Sequence, residues 1–267
     1  MAVSLSLSRP GFLHRQRRRH PEWWVIAIAG IAWIALIALH VDVGSGGAPS
    51  ATGESGGSHV HHSSAITEAP VTEGVLWSMG AWLLMVVAMM APLALAGARH
   101  VAFNSFASRR GRSMTIFLLM ALAVWIPFGV AVLGLRGLHD RVAPDLDARW
   151  LLVIALLVAA VWQLSPWKRR ALNACRLVVP LRPFGRQADR SCAAFGVRHG
   201  WRCLGACWAM MLAMGVAHGG LLLMIGLSAA AIVESESHWR RRTLTLNVSA
   251  LAMVGAAALV AIGVPLA

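Results

Sequence analysis

The chain has 267 residues, of which 58% are hydrophobic and 13% are charged, with a formal net charge of +13. A soluble domain carries about a quarter charged residues. This composition therefore excludes an ordinary soluble enzyme and points to a chain that buries itself in lipid.

The basic cluster Arg15, Arg17, Arg18 and Arg19 leads into an apolar run at 23–40. That run is longer than the 7–15 residues or so of a signal-peptide core, so it reads as a signal anchor behind a cytoplasmic N-terminus, 1–22. Residues 41–73 contain no Lys or Arg and are dominated by Gly, Ser, Ala and Thr. Such a segment cannot bury a core and reads as a flexible external loop. It carries His59, His61 and His62, which bind divalent metal only weakly without a fixed geometry.

Residues 74–267 form the main membrane domain. A bilayer core about 30 Å thick needs roughly 20 helical residues, which predicts further spans at 75–98, 114–137, 150–166 and 244–266. The apolar block 203–234 is too long for one ordinary crossing. Two short crossings that turn near His218-Gly219-Gly220 give an all-α bundle of seven spans. One long tilted helix there gives six.

Lys and Arg alternate between connections as the positive-inside rule requires. The connection 99–113 holds four arginines, and 167–202 holds Lys168 with Arg169, Arg170, Arg176, Arg182, Arg186, Arg190, Arg198 and Arg202. This predicts a multi-pass protein of the bacterial inner membrane, with those two connections in the cytoplasm. The positive charge is accounted for by topology and lipid contact, so no nucleic-acid partner is expected. Oligomeric state is not legible.

Chemistry concentrates in residues 203–218. On a helix turning about 100° per residue, Cys203, Cys207, Met210, Met214 and His218 share one stripe. Thiolates and thioethers suit Cu(I); the Cys and His members alone would suit Zn(II). Met85 and Met89 lie on one face with Trp82 and Pro92 and offer thioethers from a second span. The Cys and Met residues also have a plainer reading as core packing, since both are common fillers of helix interfaces, and His218 one as a hydrogen-bonded turn residue near the outer surface. Cys175 and Cys192 fall in the predicted cytoplasmic loop, where free thiols are expected. Gln163 requires a hydrogen-bond partner inside its span, Pro166 disfavours helix at Ser165, and Trp167 with Lys168 reads as an interfacial anchor. Glu234 reads either as an interfacial carboxylate near arginines or as a proton relay.

The elements Trp82-Leu83-Leu84-Met85-Val86-Val87-Ala88-Met89-Met90-Ala91-Pro92, Gln163-Leu164-Ser165-Pro166-Trp167-Lys168 with Cys175-Arg176, and Cys203-Leu204-Gly205-Ala206-Cys207-Trp208-Ala209-Met210-Met211 resemble a bacterial family of predicted metal-binding integral membrane proteins, the domain of unknown function 2182. The resemblance covers residues 74–263 and departs at Ala171, Ala206 and Ser235, where that family often has Cys, Cys and Lys. It implies a membrane bundle that binds metal.

The reading that follows is a membrane protein that binds a soft transition metal, copper before zinc, and transfers it within or across the membrane to or from a donor or acceptor protein. No nucleotide-binding motif supports a primary pump. The alternatives are a non-transporting scaffold or assembly subunit, and a metal-dependent membrane enzyme. No catalytic residue is assigned.

Overall fold

The computed structural model describes residues 23–45, 71–143, 147–177, 179–182, 185–216, 220–237 and 239–263. Every regular element among them is an α-helix: α1 Trp23–Ser45, α2 Val71–Leu93, α3 Leu95–Phe103, α4 Arg110–Ala123, α5 Trp125–Val142, α6 Ala148–Leu164, α7 Pro166–Cys175, α8 Gly185–Val216, α9 Leu221–Glu236 and α10 Trp239–Ala261. The basic N-terminus, the histidine-bearing part of 41–73 and His218 lie outside the described residues.

Four stretches are long and apolar enough to cross a membrane: 23–40, 74–93, 110–142 and 243–261. The pair α6 and α7, bent by 73°, makes a fifth if counted as one span. The stretch 110–142 runs through both α4 and α5, jointed at Val124. Neither α8 nor α9 reaches the length and hydropathy of a full span.

The apolar block 203–234 is not one long helix. It is carried by the C-terminal half of α8 and by α9, with Gly220 capping the start of α9 at φ −52° and ψ 143°. That conformation is open to any residue, so the turn does not depend on glycine's freedom at position 220. One amide nitrogen, Nε2 of Gln163, reaches both Met210 of α8 and Glu234 of α9. The end of α9 therefore returns to the level of Met210, and α8 and α9 form a hairpin.

The predicted loop 167–202 is a correction. It consists of α7, a short link, and the first turns of a 32-residue α8. Arginine is a good helix former, so basic charge and helix coexist there. Arg109 and Arg112 of the α4 end pair with Asp189 of α8 at 2.7 and 2.8 Å. Arg176 donates to the carbonyl of Ser237 at 3.1 Å, and Arg202 to that of Leu177 at 3.3 Å. These contacts gather the basic connections 99–113 and 167–202 and the end of α9 on one side of the bundle.

Close approach needs small residues at two places. A Cβ at Gly196 or Gly200 would strike the α4 backbone at Phe117 or Ala121, so these glycines let α8 lie directly on α4. A Cβ at Gly129 or Gly215 would strike the indole of Trp82, whose Nε1 donates to the Trp125 carbonyl at 3.2 Å. Trp82 thus locks α2 between α5 and α8.

Candidate metal centre

Helix α8 supplies most of the candidate ligands. Cys203, Cys207, Met210 and Met214 are 7%, 4%, 3% and 4% exposed, so the stripe faces the bundle interior. Residues three and four apart on a helix are surface neighbours, so the Cys203 and Cys207 thiols lie on one side of α8, within the same core. All four cysteines are free thiols.

The second helix brings a thioether to this stripe. The Cys203 Sγ lies 3.6 Å from the Met90 Sδ and donates to it. Met85 and Met89, the two residues singled out from the sequence, are buried in the same core. The sulfur in contact with a thiol is that of their neighbour Met90. A face drawn for a straight helix favoured Met89; the sulfur contact belongs to the residue about 100° round the helix.

The bend between α6 and α7 creates the rest of the site. Pro166 holds Ser165 in an extended conformation at φ −65° and ψ 138°, so α6 stops at Leu164, as the sequence implied. The Ser165 Oγ then accepts from the Trp167 backbone N–H at 3.1 Å and caps α7, with Pro166 in its first turn. The turn swings α7 against α8. Trp167 is 63% exposed, in keeping with an anchor, whereas Lys168 is wholly buried. The expectation of an interfacial Lys168 is therefore corrected.

Lys168 pairs with Glu234 of α9, Nζ to Oε2 at 2.7 Å, with both side chains essentially inaccessible. Gln163 Nε2 donates to Glu234 Oε1 at 2.9 Å and reaches the Met210 Sδ at 3.5 Å. Buried charges persist only when paired and hydrogen-bonded; here the two charges pair with each other and Gln163 donates to Glu234, while among the described residues Lys168 Nζ and Glu234 Oε2 have no partner in hydrogen-bonding geometry. Gln163 Oε1 is buried and has no hydrogen-bond partner among the described residues. Glu234 thus finds its cation in Lys168 rather than in nearby arginines. Lys168 and Glu234 are both close enough to Cys207 for it to feel their charges. The polar triad and the sulfur stripe are one contiguous site.

Cys175 and Cys192 do not lie in a loop. Cys175 ends α7 and packs against the core that holds Cys203 and Cys207. Cys192 is buried on α8 in a separate cluster with Phe117 and Phe195. Between Cys192 and Cys203 on the same α8 face is His199, which the sequence reading passed over although it sits one turn before Cys203. Its ring lies 5.4 Å from that of Phe117. Burial pulls its pKa down to about 4, with Arg202 adding to the shift, so the imidazole is neutral at pH 7.

Among the described residues, no three His, Cys, Asp or Glu side chains gather where they could hold one metal ion. A closed tetrahedral Zn(II) shell of such ligands is accordingly not supported. Two thiols with adjoining thioethers form a different donor set, one suited to soft Cu(I).

A family model, PpoB2, described as a copper chaperone, matches residues 79–260. No curated protein and no solved structure matches the chain. The matched segment holds Met90, Gln163, Lys168, Cys203, Cys207, Met210 and Glu234, and excludes α1. It spans well over half of the sequence, and the chain belongs to the PpoB2 copper chaperone family.

Proposed function

We propose that this protein is a multi-pass membrane copper carrier that holds Cu(I) on Cys203 and Cys207 and exchanges it with a partner protein. The single observation behind this reading is the sulfur contact between α8 and α2, Cys203 Sγ to Met90 Sδ at 3.6 Å. It brings a thiol and a thioether together in a dry interior, one turn from a second thiol. Thiolates supply the affinity. Thioethers are neutral, weaker donors, so Met90 and Met210 adjust the hold without trapping the ion. Two thiolates with one Cu(I) carry one net negative charge. Lys168 lies within electrostatic range of Cys207, and because it already pairs with Glu234 it offsets only part of that charge. Met214 continues the stripe towards the hairpin turn and offers a further thioether step. The cargo is copper; zinc has no comparable support.

Competition with a chromophoric Cu(I) chelator, under reducing conditions in detergent, tests the thioether's part. Met90→Leu keeps the side-chain volume and removes the sulfur. It is expected to weaken Cu(I) binding about tenfold, or ~1.4 kcal/mol. Affinity equal to that of the wild type would remove Met90 from the site.

The reading also places the carrier in a bacterial inner membrane with α8 beginning on the cytoplasmic side. A single cysteine at Ser58 or Gln187, in a background without native thiols, reports this through an impermeant maleimide applied to cells with a permeabilised outer membrane. Ser58→Cys is expected to label and Gln187→Cys to stay unlabelled. The reverse pattern would invert the topology.

A further inference from the structure

Helix α1 lies outside the segment that matches the copper chaperone family, yet it packs on α2 in the core that holds Met90 and Cys203 and sends α2 one hydrogen bond. Its inward stripe is Val25, Ala29, Ala32 and Leu36, all buried, while Ile26, Ile31 and Ile34 face outward. Next to that stripe, the Trp33 indole N–H donates to the Ala88 carbonyl of α2 at 3.1 Å. Ala88 is the residue four before Pro92, which lies inside α2. In a regular helix its carbonyl would accept from the N–H of residue 92, and proline has none. Within a bilayer, such a carbonyl has no water to turn to and must find a donor in the protein. Trp33 is that donor.

The turn secured in this way is 88–92, which carries Met90 and hence the thioether 3.6 Å from Cys203. From this we propose that α1 acts as an intramolecular clamp on the proline-broken turn of α2, with Trp33 the residue that positions Met90 against Cys203. Its consequence for copper rests on the reading of Met90 as a donor; the clamp itself does not. An indole N–H suits the task because a single rigid side chain gives one donor, and its body packs among apolar residues.

The test uses the full chain in detergent with [methyl-13C]methionine labelling. Loss of a peak in Met90→Leu assigns the Met90 methyl resonance. Trp33→Phe retains an aromatic ring and removes the N–H. It is expected to shift and broaden the Met90 resonance and leave that of Met253, buried on α10, in place. Cu(I) affinity is expected to fall about three- to tenfold. Pro92→Ala returns an intrahelical donor to the Ala88 carbonyl, so adding Trp33→Phe in that background is expected to move the Met90 resonance far less. If Trp33→Phe alone fails to fold, recovery in the Pro92→Ala background supports the clamp, and failure there too overturns it. An unchanged Met90 resonance in Trp33→Phe also overturns it. A shifted resonance with unchanged copper affinity leaves the clamp standing and removes Met90 from the proposed copper site.

Discussion

Lys168→Met should be among the most destabilising single substitutions in this chain, costing about 3–5 kcal/mol. The residue is wholly buried and its ammonium lies 2.7 Å from Glu234. Removing it leaves a carboxylate in a dry interior with one Gln163 amide for company. The cost comes from that stranded charge, not from the lost attraction, so a second change should relieve it. Lys168→Met with Glu234→Leu is expected to recover most of the loss, because apolar residues of similar volume replace a buried pair at little net cost. Gln163 then loses its acceptor, and recovery should stop short of complete. Thermal denaturation in detergent, followed by loss of the monodisperse species, reads the three variants against the wild type. Additive losses in the double variant, or a loss under about 1 kcal/mol in Lys168→Met, would mean that the pair does not behave as a buried ion pair.

The buried sulfur stripe was legible in the sequence and the polar triad was not. Cys203, Cys207, Met210 and Met214 repeat at helical spacing inside an apolar block, and the helix that carries them does bury that face. Four stretches long and apolar enough to cross a membrane, and a fifth in the bent pair, were legible too, since the length a crossing needs follows from bilayer thickness; the two short crossings expected at 203–234 fall below that length or hydropathy. Pro166 announced the end of α6 by its own chemistry. What it could not announce is the direction of the following helix. The 73° bend brings Lys168, whose neighbours Trp167, Arg169 and Arg170 are exposed, into contact with a residue 66 positions later. Pairing across such a distance is a property of tertiary packing. The loop reading of 167–202 failed for a related reason. Charge density reports the side of the membrane, and says nothing about whether the backbone there is helical. Met90, whose sulfur meets Cys203, was passed over in favour of Met89 because helical phase resolves neighbouring residues poorly beside a proline.

Cys203→Ser with Cys207→Ser should abolish most Cu(I) binding. Serine keeps a small polar side chain at each place but offers a hard hydroxyl in place of a soft thiolate, and soft donors are what select Cu(I). The remaining Met90 and Met210 are neutral thioethers, too weak to hold the ion without the thiolates. Removing two anchoring ligands is expected to lower affinity by a factor of at least about 10³, or ~4 kcal/mol. Correct insertion of the variant must accompany the result, and its elution as a monodisperse species provides that control.

The most direct measurement is Cu(I) stoichiometry on the purified, detergent-solubilised protein under reducing conditions, wild type beside the double-serine variant. About one tightly held Cu(I) per wild-type chain is expected, with sulfur as the main neighbour in X-ray absorption, and close to none in the variant. Equal copper uptake by the two correctly inserted proteins would contradict this and leave Cys203 and Cys207 as packing residues.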